Sequence, residues 1–336
     1  MPPRVTAIRP HWAIEGGRIS IEGTQFPLDQ PRLPDVRVGD LPARVVYASP
    51  SSIAVIVPTG ILDSGPTTVR IEGVPGETAL IEVAAPFATG LHQVDNPVFD
   101  RDGNLYVTYS GARGEHVPVS IFRVRANGTR EPFSSGIVNP TSMAIDREGR
   151  LYVSSRFEGT VYRVASDGSA EPFATDLGVA CGLAFGADGT LFVGDRSGTI
   201  FRVDERGHAT RFASLPPSVA AFHLAIGPDA AVYVSAPTLA PYDSVYRLDP
   251  SGAVTTRYAG FGRPQGLAVG ADGTLFVVEA LAGASGLYRL PAGGAPELVL
   301  AGPGLVGVAF DAHGTLVVCS NDTAYRLPAR HGERGS

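Results

Sequence analysis

The chain predicts an all-β protein in two parts, a small antiparallel sandwich followed by a six-bladed β-propeller. Three observations carry that expectation. Gly 41 and Pro 28 accompany a charged fraction of only 18%, a balance suited to many short strands joined by tight turns. From residue 96 onward one unit recurs at a period of about 40 residues, the spacing of propeller blades. A fragment of that unit, PFATGL at Pro86–Leu91, stands alone ahead of the first copy.

Residues 1–85 come first. The stretch VTAIRPHWAIEGGRISIEGTQF alternates around Ile19 and Ile21 and breaks at Gly23. VRVG, ARVVYAS, SIAVIVP and TTVRIEG follow as short strands bounded by Gly, Pro and Ser, as in a sandwich. Trp12, the sole tryptophan, is assigned a packing role. Ile8, Pro10, Gly16-Gly17, Ile19, Ile21, Gly23, Phe26, Val38-Gly39, Ala43, Ser49, Ile53, Val57-Pro58 and Gly65 resemble the IPT/TIG immunoglobulin-like family over about residues 3–84. The resemblance implies a spacer or binding accessory.

The repeat occupies residues 86–328. Its first part appears as NPVFDRDGNLYV, TSMAIDREGRLYV, CGLAFGADGTLFV, FHLAIGPDAAVYV, QGLAVGADGTLFV and VGVAFDAHGTLVV. Its second is an aromatic-arginine word: IFRV, VYRV, IFRV, VYRL, LYRL and AYRL. Acidic-Gly pairs such as Asp102-Gly103 and Asp188-Gly189 supply the positive φ that a tight hairpin needs. A fourth strand follows five of the copies, as PFSSGI, PFATDL, RFASLP, RYAGFG and LVLAGP. The sixth is PFATGL. A strand from ahead of the first copy therefore completes the last one and closes the ring, and residues 329–336 are read as a tail. The units resemble NHL-repeat and SMP-30/gluconolactonase-like propellers.

Composition narrows the functions. The formal charge of −6 excludes a nucleic-acid surface, which needs a basic face. All 27 basic residues are arginine, which removes lysine Schiff-base chemistry. No G-x-S-x-G elbow, H-E-x-x-H helix or P-loop is present. Two cysteines are too few for a disulfide framework. No apolar run of about 18 residues and no signal pattern is seen, so no membrane attachment is expected and the cytoplasm is the default location.

In a propeller the inner strand of each blade starts, and the second strand ends, at one mouth of the central channel. Those positions give the candidate site. Asp195 and Glu279 end equivalent strands and His223 starts the strand between them. Converging, they would form an acid–base group, since imidazole titrates near neutrality and a carboxylate can orient it. Ion pairing of the two acids with Arg156 and Arg196 is the structural alternative. Asn96, Asn139, Thr141, Arg156, Cys181, Arg196, Gln265 and Asn321 complete a ligand-binding set, with Cys181 read as a buried small side chain or a nucleophile beside His223. The gluconolactonase resemblance implies a divalent metal at strand starts. Only Asn96 and Gln265 offer oxygens there, without the carboxylates that Ca²⁺ wants. No cofactor is therefore assigned. Two functions stand open: a binding propeller for a small molecule, glycan or protein, or a lactone or ester hydrolase (or propeller lyase) working from Asp195, Glu279 and His223.

Overall fold

The computed structural model describes residues 2–28, 33–61, 64–75, 79–84, 86–281, 283, 285–311 and 313–327, so the expected tail lies outside the described residues. Among these, every regular element is a strand. The protein is an all-β propeller with an N-terminal sheet docked against it.

Copy 2 shows the repeat in full. Pro140–Ile145, Leu151–Ser155, Thr160–Val164 and Ala170–Ala174 pair antiparallel in chain order. Copies 1, 3 and 4 form sheets of the same order, starting from Val98–Phe99, Ala180–Phe185 and His223–Ile226. Copy 6 supplies Leu305–Phe310, Leu316–Ser320 and Ala324–Arg326, and its fourth strand is Pro86–Ala88, with Ala88 opposite Ala324 and Pro86 opposite Tyr325. These make five separate four-stranded sheets. Copy 5 pairs Pro264–Val269, Leu275–Glu279, Gly286–Leu290 and Glu297–Ala301 in the same order, but as part of a twelve-stranded sheet. The inner strands neighbour one another in a closed circuit, from copy 1 through copy 6 and back to copy 1.

The turn chemistry follows the sequence. At the hairpin between the first two strands, Gly103, Gly149, Gly189, Gly273 and Gly314 take φ of 76–86°. The leading aspartate caps the turn: Asp146 Oδ1 accepts from the Glu148 and Arg150 amides at 3.0 and 2.9 Å. Copy 4 breaks the rule, placing Ala230 at φ 58°. The next turn has its own reason for glycine. A Cβ on Gly168, Gly207 or Gly252 would strike the backbone of Phe133, Phe173 or Phe212 on the preceding sheet. Gly128 meets Phe87 in the same way, so the strand from ahead of copy 1 fills the place of a fourth strand in packing as well as in pairing.

The aromatic-arginine words also serve the repeat. Arg123 binds Glu131, Arg163 binds Glu171 and Arg289 binds Glu297 across to the fourth strand, while Arg247 and Arg326 reach the hairpin acids Asp229 and Asp311.

In the N-terminal sheet, Ile19, Ile21, Ile53 and Val55 from one arm share a core with Val36, Val38, Val69, Ile71 and Ile81 from the other. The joint to the propeller is a two-residue strand. Trp12–Ala13 runs parallel to Glu297–Ala301 on one side and to Ala79–Val83 on the other. The Ile14 amide donates to the Ala301 carbonyl at 3.0 Å. Trp12 and Ile14 are buried with Ala84 among Val278, Leu287, Leu300 and Val308. Burial of the indole alone contributes about 5 kcal/mol at ~25 cal/mol per Å².

Candidate functional site

Asp195 stands opposite Ala180 and Glu279 opposite Pro264, the position that Ser155 takes opposite Pro140. All three fasten the loop that enters their own inner strand. Asp195 Oδ1 accepts from the Val179 and Ser197 amides at 2.9 and 3.1 Å, and Oδ2 accepts a short bond from the Ser197 hydroxyl. Glu279 accepts from the Gly262, Arg263 and Leu281 amides at 2.6, 2.8 and 2.7 Å. Ser155 donates to the Val138 carbonyl at 2.6 Å. Both carboxylates are buried. Their recorded partners are backbone amides and one hydroxyl, neither His223 nor the arginines that the sequence suggested. A carboxylate holding two or three N–H donors is structurally committed to the backbone it binds.

His223 has a different acid. Its Nδ1 makes a short hydrogen bond to Asp95 Oδ1, with both side chains almost fully buried. Asp95 sits between the closing strand Pro86–Ala88 and the inner strand of copy 1, outside the repeat unit. The Gln93 side-chain nitrogen Nε2 donates to the Asp95 carbonyl at 2.6 Å, and its side-chain oxygen accepts from the Thr108 amide at 3.2 Å. The same carbonyl crowds Gly307 of copy 6. The segment that closes the ring thus runs inward and meets the inner strand of copy 4. His223 Nε2 is buried with no hydrogen-bond partner among the described residues. Sequence reasoning missed Asp95 and Gln93. The available signal was an acid in HQVDN that no hairpin accounted for.

The other candidates stitch strands and loops. The Asn96 side chain donates to the Leu267 carbonyl at 3.0 Å and accepts from the Val308 amide at 3.1 Å, tying copy 1 to copies 5 and 6. Gln265, half-buried, accepts the Ser235 hydroxyl on its main-chain oxygen. Asn139 holds φ 46° while its side-chain amide pins the loop between the second and third strands of copy 1, bonding Gly111, Ala112 and Gly114 at 2.7–3.0 Å. Thr141 donates to the Asn139 carbonyl at 3.2 Å. Asn321 is exposed, and its main-chain oxygen accepts from Gln93. These residues do not fit a hard cation: the Asn96 amide is bonded at both ends, and Asp195 and Glu279 are engaged by N–H donors and one hydroxyl. Among the described residues no group of three or more His, Cys, Asp or Glu side chains could hold a metal ion.

Cys181 lies at the start of its inner strand, buried. Burial pushes its thiol up to about 12 and the Asp95 charge adds to this, while the Phe222 amide and the Arg156 and Arg196 guanidiniums pull the other way. A thiol so protonated is no nucleophile at neutral pH.

Above this layer the loops carry a second pattern. Among the described residues of 86–327, eight large apolar side chains are exposed, and seven of them lie in loops at this mouth: Tyr109, Phe157, Val179, Val219, Leu239, Tyr242 and Leu281. Leu239 is 91% exposed and Tyr242 69%, far from what packing requires. Interleaved with them, Arg113, Arg156, Arg196 and Arg263 have no carboxylate within ion-pair distance among the described residues; Arg156 reaches only the Ser110 hydroxyl at 3.3 Å. The sequence reading found Arg156 and Arg196 but gave the apolar loops no weight. A cleft between copies 2 and 3 lies at the hairpin end, where the charges neutralise one another, Arg150 with Asp146 and Arg163 with Glu171.

No family model and no curated protein matches the chain. Among solved structures it is similar to an auxiliary nutrient binding protein from Bacteroides ovatus, at 14% identity and TM-score 0.56 over 98% of this chain and 99% of that one. It is similar to a protein assigned as a gluconolactonase, at 18% identity and TM-score 0.58 over 72% and 90%. It is also similar to a catalytically inactive virginiamycin B lyase from Staphylococcus aureus with quinupristin, at 16% identity and TM-score 0.54 over 89% and 100%. At such identities the likeness establishes the propeller fold. Among the described residues no helix is long and apolar enough to cross a membrane.

Proposed function

We propose that the protein is a binding propeller whose loops around the channel mouth hold a small molecule, glycan or protein. The ring counts six blades, copy 5 being the one whose outer edge the N-terminal sheet covers. The circuit of six inner strands and the fourth-strand place of Phe87 support this. Residues 1–85 act as an immunoglobulin-like accessory of IPT/TIG type ahead of a propeller spanning 86–328, supported by the core shared between the two arms of the N-terminal sheet. One observation carries the functional reading. The mouth's strand-end carboxylates, which hydrolysis would need, are held by backbone amides, while apolar and arginine side chains of the same loops stay uncovered. The match to a nutrient binding protein over nearly the full length of both chains agrees with it.

A lactone or ester hydrolase or a propeller lyase, using His223 with Asp195 and Glu279, is the second reading. The carboxylate-oriented imidazole with an unpartnered Nε2 favours it. Turnover assays on a lactone and ester panel decide between the two. The binding reading expects no hydrolysis that depends on this site. Hydrolysis abolished by His223→Ala or Asp95→Asn in a protein that remains folded would sink it.

A further inference from the structure

We infer that the ligand of the mouth, on the binding reading above, is an organic anion with an apolar body, its acid group held between Arg156 and Arg196. The body would lie on Phe157, Val179, Val219 and Tyr242. The loops that carry these residues adjoin around the ring. The Arg156 amide bonds the Asn139 carbonyl, Arg196 bonds Val179, Ser218 bonds Arg196 and Val219 bonds Pro237. The Leu177 amide also bonds the Gly159 carbonyl, so the loop of Arg156 abuts the loop of Val179, whose carbonyl takes the Arg196 amide.

Charge selects the sign of the ligand. The protein as a whole is at −6, and the same loops expose Glu115, Glu158, Asp176 and Asp322. Yet among the described residues Arg156 and Arg196 form an ion pair with none of these, nor with Asp195 or Glu279, which are turned inward to backbone amides. A planar guanidinium fork matches a carboxylate or sulfonate in two parallel hydrogen bonds, stronger than neutral ones. The rim selects the body. Val179, Val219, Leu239 and Leu281 are aliphatic and offer no hydrogen bonds, and Phe157 and Tyr242 add ring faces suited to an apolar body. Arginine beside exposed aromatic and aliphatic carbon is what an amphiphilic acid would pair with, each half satisfying what the other would leave unpaired.

Two fluorescent probes of one skeleton test this: 1-anilinonaphthalene-8-sulfonate and its uncharged parent N-phenyl-1-naphthylamine. They are titrated into the folded full chain, into Arg156→Gln/Arg196→Gln and into Phe157→Ser/Tyr242→Ser, with folding of each confirmed by its denaturation midpoint. The expected result is saturable sulfonate binding that weakens at least about tenfold in the arginine variant, while the neutral probe binds weakly and is indifferent to it. Equal binding of the two probes, sulfonate binding unchanged in the arginine variant, or no sulfonate binding overturns the anion assignment. If the neutral probe then still loses affinity in Phe157→Ser/Tyr242→Ser, the mouth face stands as a binding surface and only the ligand class falls. If neither probe responds to either variant, the face itself falls with it.

Discussion

The two ends of the propeller treat charge in opposite ways. At the hairpin end, acids and arginines pair with one another: Arg163 with Glu171 and Arg247 with Asp229 near the surface, and Arg150 with the buried, turn-capping Asp146. At the mouth, Asp195 and Glu279 are buried and bonded to amides. Arg113, Arg156, Arg196 and Arg263 have no carboxylate within ion-pair distance among the described residues, although Glu115, Glu158, Asp176 and Asp322 are exposed in the same loops. The same residue types, recurring in the same repeat, therefore have different worth at each end. Exposed pairs are screened by water and add little. Buried carboxylates that collect backbone donors hold whole loops in place, since removing one strands every N–H it served. The end that leaves arginines unpaired is the one we propose as the binding face.

This contrast can be tested by substitution and labelling. The largest effect is expected at Cys181, beneath the mouth arginines. A shift from 9.0 to about 12 lowers the reactive thiolate, and so the alkylation rate at pH 8, by roughly a thousandfold relative to the unfolded chain. Mass spectrometry after an iodoacetamide pulse reads this, and rapid labelling of the native protein would mean an open, wet mouth. Next, Glu279→Ala and Asp195→Ala are each expected to lose about 3 kcal/mol in chemical denaturation, through two or three orphaned amides. Gly207→Ala follows at about 2 kcal/mol, because φ 84° and the Phe173 backbone both oppose a methyl group. Ala230→Gly runs the other way, gaining about 0.5–1 kcal/mol by relieving φ 58° at the one hairpin that lacks its glycine. Smallest is Arg163→Ala, within about 0.5 kcal/mol and shrinking with salt. If it cost as much as Glu279→Ala, the two ends would not differ as described.

Much of the ring was legible because its signals are local and repeated. PFATGL announces the closing strand by its likeness to PFSSGI and PFATDL, and the pairing of Pro86 with Tyr325 needs nothing else. The positions of Asp195 and Glu279 were equally legible, but their partners were not. A backbone amide has no sequence identity, so the reading looked for side chains and supplied arginines. Asp95 was invisible for another reason: it lies in no copy, and its partner His223 is 128 residues away. Trp12–Ala13 shows no period because two residues cannot alternate, although it joins the two halves of the molecule.

That short parallel strand has one more effect. Glu297–Ala301 would otherwise present a bare row of backbone donors and acceptors, the kind of rim on which a second chain can grow. By seating Trp12 there, the chain stoppers its own vulnerable border, so severing residues 1–85 should turn a self-contained particle into a sticky one.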